Sequence, residues 1–275
     1  MPRRRKDFFR ATLAIWLVIA GLAADVAQGG EPSTPSAKTL RPKGEQADHA
    51  GLATVPKPAP ANRKELAIAF SKASPSSLTD LRNIEKRVKD LVRRLSPAVV
   101  DVQVGNGSGS GVVITENGLV LTAGHVCGRT GREVRLTFPD GKTAKGKTVG
   151  IGRDNDAGLI RITDKGAWPH VAVGDLEQTH SGDWVLAMGH PGGFDLKRSL
   201  VVRLGRIIRL EDGALRTDCT ISPGDSGGPL FDMYGRVIGI HSFISGSLTA
   251  NFHVPITGFY DDWEELVKVR LDQGE

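Results

Sequence analysis

The chain has 275 residues, of which 39% are hydrophobic, and carries a formal net charge of +5. About 200 globular residues are enough to bury a sizeable core. Residues 1–29 hold five basic and two acidic side chains, so without them the charge falls to +2 (5 − 5 + 2). The remainder has no cluster of lysine and arginine interleaved with aromatic residues, so nucleic-acid binding is not favoured.

The first 29 residues have the layout of a secretory signal. Basic residues precede an uncharged apolar run of 14 residues at 11–24. This run is short for a membrane span and typical of a signal peptide. A small-x-small site at residues 27–29 predicts cleavage after Gly29 and export to the periplasm or the medium. If the run is not cut, residues 11–24 instead tether the protein to the membrane, facing outward.

Residues 30–74, rich in Pro, Ala and Lys, predict a flexible tether.

Two amphipathic segments flank the central part of the chain. Residues 77–95 then predict a helix. Its expected buried face is Leu81, Ile84, Val88, Leu91, Val92 and Leu95. Near the C-terminus, residues 260–269 predict a docking helix that buries Trp263, Leu266 and Val267.

Between these helices the pattern is typical of β structure. Short runs rich in Val, Ile and Leu lie at 98–104, 111–115, 133–138, 158–163 and 184–188. Turn signals separate them, among them ENG at 116–118 and PDG at 139–141. This spacing favours antiparallel barrels over βαβ units.

The motif GDSGGP at residues 224–229 is the most informative in the chain. Acyl transfer needs a serine nucleophile and preorganised N–H groups for the oxyanion. The glycines permit a sharp turn that points the N–H groups of Gly224 and Ser226 at one spot beside the hydroxyl. The bare pattern also fits an ordinary turn, so the interpretation depends on a base and an acid elsewhere.

His125 and Asp156 are the candidates for that base and acid. His125 lies in LTAGHVC at 121–127, where small residues after an apolar strand leave room for an imidazole. Asp156 begins an apolar strand, 31 residues after His125 and 70 before Ser226. Asp154 lies on the same predicted strand face and stays an alternative, although the apolar run directly follows Asp156.

The other histidines have more ordinary interpretations. We expect a loop position for His190 and solvated positions for His49, His170 and His180. His241 and His253 lie near the predicted cleft, where they either contact substrate or are partly buried and hydrogen-bonded. We find no metal-ligand spacing, and the chemistry inferred here needs neither a metal nor another cofactor.

Taken together, these motifs resemble the chymotrypsin-like serine peptidases, and within them the bacterial HtrA (DegP/DegQ/DegS) type. The likeness covers roughly residues 80–260 and also includes GSGSGVVI at 107–114 and AMGHPGG at 187–193. It implies an all-β, chymotrypsin-like fold of two antiparallel six-stranded barrels, at about 97–170 and 171–258, with an N-terminal and a C-terminal helix.

The resemblance also implies roles for the candidate residues. His125 is the general base and acid, Asp156 orients it, Ser226 is the nucleophile, and the Gly224 and Ser226 amides form the oxyanion hole. The expected activity is a serine endopeptidase acting on unfolded or exposed polypeptide segments. A homotrimer, frequent among HtrA proteins, is a further expectation. The alternative is a chaperone-like, polypeptide-binding protein with low or gated proteolysis.

Two features depart from the HtrA pattern. HtrA proteins usually have asparagine where Asp225 stands, whereas the digestive enzymes have aspartate there and pair it with a newly cut N-terminal amine. Nothing in this chain resembles such a cleavage site, so we expect Asp225 to bind another partner or water. The 20 residues after Pro255 also lead us to expect no PDZ domain.

The residues expected to contact substrate follow from the same resemblance. Thr220 lies at the base of the pocket for the side chain before the cut bond, and being uncharged it argues against Lys or Arg there. Ser242, Phe243 and Ile244 match the edge strand that pairs with the substrate backbone. Because bulky Ile244 narrows the pocket, we expect small or medium aliphatic side chains at this substrate position.

Cys127 and Cys219 are the two cysteines of the chain. In an oxidising compartment they could form one disulfide, but their spacing does not establish that they come within reach. Separate buried thiols are the favoured alternative.

Overall fold

The computed structural model describes residues 56–60, 66, 68–152, 154–198, 200–211, 213–244 and 250–267. The predicted signal or anchor at 1–29 and the predicted tether up to residue 55 lie outside the described residues. Within the described ranges, no helix combines the length and apolar character needed to cross a membrane.

Two closed antiparallel barrels of six strands each form the body of the protein. The strands of barrel 1 are β1 (Val99–Val104), β2 (Gly107–Val113), β3 (Leu119–Ala123), β4 (Glu133–Thr137), β5 (Thr143–Ile151) and β6 (Ala157–Ile162). Those of barrel 2 are β7 (Trp184–Gly189), β8 (Val201–Glu211), β9 (Ala214–Thr217), β10 (Pro229–Asp232), β11 (Val237–Ile244) and β12 (Asn251–Pro255). The predicted fold class is therefore confirmed.

The barrels share one strand order, which places corresponding loops on corresponding faces. Around barrel 1 the order is β1-β2-β3-β6-β5-β4, and around barrel 2 it is β7-β8-β9-β12-β11-β10. Every residue of β3 is buried, whereas β5 alternates between buried and more exposed positions. Each fully buried Val or Leu contributes about 1.5–3 kcal/mol relative to exposure, so the filled barrels provide a rigid support for the loops.

Helix α1 (Leu78–Leu95) matches the prediction within one residue, because Ser77 caps it and accepts a hydrogen bond from the Asp80 amide. Leu91 and Leu95 are buried as expected, but Leu81 is 53% exposed. The expectation for Leu81 was wrong because, on the predicted stripe, burial begins only at Ile84, after the first turn.

The C-terminal helix differs more from its prediction. A one-turn helix, α2 (Gly124–Cys127), follows β3, and the C-terminal segment forms two short helices, α3 (Ile256–Asp261) and α4 (Trp263–Val267). The break falls at Asp262, whose φ of −99° and ψ of 6° are not helical. Trp263 and Leu266 are buried as expected. These two side chains thus reach the core although the helix is not continuous.

Candidate active site

His125 and Asp156 lie side by side at one end of barrel 1. His125 is on α2, and Asp156 immediately precedes β6. The Nδ1 atom of His125 lies 2.9 Å from Oδ2 and 3.1 Å from Oδ1 of Asp156. The backbone N–H of His125 also donates to Oδ1, at 2.8 Å. With the proton on Nδ1 facing the carboxylate, Nε2 is left as an acceptor.

The protonation of His125 reflects two opposing influences. Burial lowers the pKa of its imidazole, whereas the hydrogen bond and the charge of Asp156 raise it, and the net shift is upward from 6.5. The Asp156 side chain is only 8% exposed, compared with 44% for His125. The structure therefore brings Asp156, rather than the alternative Asp154, to the imidazole.

Ser226 lies in the loop between β9 and β10, on barrel 2. Its hydroxyl donates to the carbonyl oxygen of Ser242 at 3.4 Å. Among the described residues, no hydrogen bond joins the Ser226 hydroxyl to the His125 imidazole. A serine hydroxyl moves between staggered rotamers, and catalytic hydrogen bonds often tighten only when substrate binds.

Ser242 joins the acid and the serine. Its hydroxyl donates to Oδ2 of Asp156 at 2.5 Å, while its carbonyl oxygen accepts from Ser226. The sequence placed Ser242 on a substrate-binding strand but did not indicate the contact with Asp156. No local signal could have done so, because the two residues are 86 positions apart.

The loop that carries Ser226 has two glycines that no other residue could replace without strain. Gly224 has a φ of 96° and Gly227 a φ of 88°, in the region that side chains disfavour. A Cβ at Gly227 would lie 2.1 Å from the carbonyl oxygen of Ser110, and one at Gly224 would lie 2.5 Å from the amide of Gly192. Both positions therefore require glycine for space as well as for conformation.

The amides of Gly224 and Ser226 are available to a ligand. The carbonyl of Pro223 accepts from the amide of Gly192 at 2.8 Å, and because a trans peptide is planar, the N–H of Gly224 points the opposite way. Ser110 holds the next carbonyl, donating from Oγ to Gly224 at 2.8 Å. Among the described residues, neither the Gly224 amide nor the Ser226 amide donates a hydrogen bond within the chain.

Asp225 has a partner within the chain. The two oxygens of its carboxylate, which is fully buried, lie 2.8 and 3.1 Å from the terminal nitrogens of Arg203 on β8. We expected Asp225 to bind either another partner or water, and the structure shows a partner, the Arg203 cation. Nothing near Arg203 in the sequence indicated this pairing.

The residues expected to contact substrate lie at the rim of barrel 2. β10 pairs with β11 only as far as Ile240, and beyond that point Ser242 is buried. Phe243 stacks on Phe252 with ring centres 4.7 Å apart, and Ile244 is 46% exposed. Thr220 is also exposed.

Three histidine side chains, those of His190, His241 and His253, are buried. His190 lies in a loop as expected but is buried. His241 and His253 are fully buried and share a hydrogen bond of 2.9 Å between their Nδ1 atoms. Burial lowers the pKa of both, that of His253 to about 3. Of the two interpretations, these histidines match the hydrogen-bonded one.

The cysteines are separate buried thiols. Burial raises the pKa of each to about 12, which leaves both protonated and unreactive at neutral pH. Within the described ranges, no three His, Cys, Asp or Glu side chains are grouped to hold a metal ion.

Known proteins that are similar to this chain are peptidases. Residues 109–240 match the family model of the trypsin-like peptidase domain. A probable periplasmic serine endoprotease of Pseudomonas putida, described as DegP-like, is 36% identical over 168 residues, which are 58% of this chain and 35% of that protein. The putative serine protease HhoA of Synechocystis is 35% identical over 54% of this chain and 40% of its own length.

Two solved protease structures are also similar to this chain. The serine endoprotease from Yersinia pestis has a TM-score of 0.58 and 28% identity, with 66% of each chain covered. The HtrA-type protease AlgW, solved with a tripeptide, has a TM-score of 0.57 and 27% identity over 66% of this chain and 63% of its own. In sequence and in fold, the chain is thus similar to serine proteases that include an HtrA-type enzyme. It spans 35% to 40% of the length of the two curated relatives named above.

Proposed function

We propose that this protein is a serine endopeptidase in which His125, Asp156 and Ser226 form the catalytic triad. The observation that carries the proposal is the cluster in which Asp156 contacts the His125 imidazole and, through Ser242, joins the loop of Ser226. The two amides beside the Ser226 hydroxyl, which are unpartnered among the described residues, support an oxyanion hole at Gly224 and Ser226. The comparisons support the same activity at the level of the family.

The proposed reaction uses these groups in two stages. Oγ of Ser226 attacks the substrate carbonyl carbon while Nε2 of His125 takes its proton, and the oxyanion is stabilised by the two amides. His125 then gives that proton to the leaving amine as the C–N bond breaks, which leaves an acyl-enzyme. Water, deprotonated by His125, hydrolyses the ester and regenerates Ser226. Asp156 keeps the imidazole in the tautomer that both stages need.

Replacing Ser226 with Ala tests this proposal directly. We expect the variant to fold normally and to lose turnover by a factor of about 10⁴ or more, because only binding and the oxyanion hole remain. The assay is hydrolysis of a denatured protein mixture by the purified mature form. The matched control is Ser108→Ala, because Ser108 is an exposed serine on β2. Undiminished hydrolysis in the Ser226→Ala variant would assign the chemistry to another nucleophile.

We propose small or medium aliphatic side chains at the substrate position before the cut bond. The uncharged Thr220 and the half-exposed Ile244 at the end of β11 support this preference. A peptide library in which that position is varied should give Val, Ala, Thr and Leu as the best substrates. A profile dominated by Arg or Phe would contradict the assignment of this pocket.

A second candidate function rests on one observation. The Ser226 hydroxyl is directed at the carbonyl of Ser242, as expected for a polypeptide-binding protein whose proteolysis is gated. An active-site phosphonate separates the two functions, since it labels Ser226 only when His125 can activate the hydroxyl. Prompt labelling of the free protein favours the peptidase, and labelling only in the presence of a bound peptide favours the gated protein.

Export, a membrane tether through residues 11–24 and a homotrimer stay proposals about the whole protein. The periplasmic names of the relatives and the composition of residues 1–29 support export. Cell fractionation with N-terminal sequencing of the mature form tests both export and the tether. Light scattering of the purified protein tests the trimer.

A further inference from the structure

A buried ion pair lies directly behind the two amides proposed as the oxyanion hole. Asp225, the residue between Gly224 and Ser226, has a side chain that is 0% exposed. The Arg203 guanidinium, itself 18% exposed, meets this carboxylate with both terminal nitrogens, at 2.8 and 3.1 Å. Such two-point pairing between Arg and a carboxylate is strong and directional.

The surroundings of the carboxylate are shaped to receive it. The amide of Ser222 donates to its Oδ2 at 2.8 Å. At Gly189, the last residue of β7, a Cβ would lie 2.4 Å from Oδ1 of Asp225, so a side chain there would displace the carboxylate. Burial raises the pKa of Asp225, and the charge of Arg203 is the largest influence opposing it. Without Arg203, this site would hold an uncompensated buried charge.

Anchoring Asp225 restrains the peptide units on both sides of it. The Ser226 amide belongs to the peptide that follows Asp225, and the Gly224 carbonyl belongs to the peptide that precedes it. Because these units are planar, fixing the Cα–Cβ bond of Asp225 leaves them few orientations. Gly224 has no side chain of its own to provide such an anchor, and glycine is conformationally permissive.

We propose that Arg203 is a positioning residue for the oxyanion hole, acting through Asp225, and that it replaces the newly cut amine of the digestive enzymes. This inference rests on the proposed peptidase function. A cation supplied by β8 is present as soon as barrel 2 has folded. The carbonyl of Gly224 and the amide of Ser226, which lie in the peptide units on either side of Asp225, are therefore held in place without cleavage of the chain.

The first test compares Arg203→Met with Arg209→Met, an exposed arginine on the same strand. We expect Arg203→Met to lower kcat by about 100- to 1000-fold, the usual effect of losing an oxyanion-hole donor, with KM changed by less than about threefold. A peptide aldehyde, whose hemiacetal oxygen occupies the oxyanion hole, should lose affinity in the same proportion as kcat. Arg209→Met should leave kcat, KM and the aldehyde affinity unchanged.

The second test asks whether Arg203 acts through Asp225. The double variant Arg203→Met with Asp225→Asn should recover at least about tenfold in kcat over Arg203→Met alone, because an amide needs no cation and its oxygen still accepts from Ser222. If Arg203→Met does not fold, as judged by circular dichroism, Arg203→Lys takes its place. That variant retains the charge without the two-point geometry, so an intermediate loss of about tenfold is expected.

Three results would overturn the proposal: kcat within about threefold of wild type in a folded Arg203→Met variant, an unchanged aldehyde affinity, or a double variant as slow as the single one. A wild-type protein with no Ser226-dependent hydrolysis would instead contradict the proposed function. An active wild type with an equally active Arg203→Met variant would contradict only the role of Arg203.

Discussion

At the scale of single residues, the conformation of Asp156 is unusual. Its φ of 55° makes it the one non-glycine residue with a positive φ in the described part of the chain. Aspartate tolerates this left-handed region better than most residues, but the conformation still costs on the order of 1 kcal/mol. The strain is compensated by hydrogen bonds from both the ring and the backbone of His125 to the carboxylate.

The raised pKa of His125 predicts the pH dependence of the proposed peptidase activity. Only the neutral imidazole can accept the proton of Ser226, and Asp156 stabilises the protonated form enough to move the pKa above 6.5. We therefore expect kcat/KM to fall with decreasing pH through a single ionisation centred above 6.5. The measurement is kcat/KM for a peptide substrate between about pH 5 and pH 9.

Asp156→Asn is the comparison for this profile. Without the negative charge the ionisation should move to lower pH, and the rate should fall by about 10⁴ because the tautomer is no longer fixed. An acid limb of the wild type centred well below 6.5 would contradict the ion pair as the cause of the shift.

At the scale of strands, the buried histidine pair ties three strands of barrel 2 together. His241 on β11 lies directly opposite His253 on β12, and Nε2 of His253 lies 2.8 Å from Oγ1 of Thr217 on β9. The short contact between the Nδ1 atoms requires one to donate and the other to accept. Neutral rings make both contacts, and the complete burial of the two side chains opposes their protonation.

This network predicts that the protein loses stability in acid. The pKa of each ring is depressed in the folded state, that of His253 to about 3, so the unfolded chain binds more protons between about pH 6.5 and pH 3. The free energy of unfolding should thus fall as the pH drops below 6.5, by at most about 1.4 kcal/mol per pH unit for each histidine.

Urea unfolding at several pH values measures this slope. In His253→Gln the slope should be smaller, whatever the absolute stability of the variant. The exposed His170 provides the control, since His170→Gln should keep the wild-type slope. Equal slopes in wild type and His253→Gln would show that the buried pair does not cause the acid sensitivity.

At the scale of the whole molecule, Ser110 connects the two barrels at the active-site loop. Its amide donates to the carbonyl of Ser226 at 2.7 Å, and its hydroxyl donates to the carbonyl of Gly224 and accepts from the amide of His190 at 2.9 Å. Ser110 itself belongs to β2 of barrel 1 and is fully buried. The position of Ser226, the proposed nucleophile, therefore depends on how the barrels dock.

Replacing Ser110 with Ala should slow the enzyme without unfolding it. The variant keeps the backbone bond to Ser226 but leaves the Gly224 carbonyl and the His190 amide unpaired, at a cost of about 1–3 kcal/mol for each buried group. We expect kcat to fall by about tenfold, because losing the hydrogen bond to the Gly224 carbonyl loosens the loop that carries the proposed oxyanion hole. The assay is steady-state peptide hydrolysis, with Ser108→Ala as the control, and an unchanged kcat would contradict the link.

What the sequence determined by itself was local in character. The residue types at 125, 156 and 226, the helix at 77–95 and the alternation of short strands and turns could all be recognised, because each depends on neighbours along the chain. Motifs of this kind, and the resemblance that they carry, were sufficient to predict the class of fold, whereas the chemistry of the site stays a prediction.

Only the tertiary structure decided the contacts between distant positions. Arg203 with Asp225, Ser242 with Asp156 and Ser110 with Gly224 pair residues 22, 86 and 114 positions apart, and the exposure of Leu81 was equally unforeseen. The physical reason is that an arginine, a serine or a leucine has the same propensities whatever partner the fold brings to it. Strand register and barrel docking select that partner, and neither is encoded at any single position.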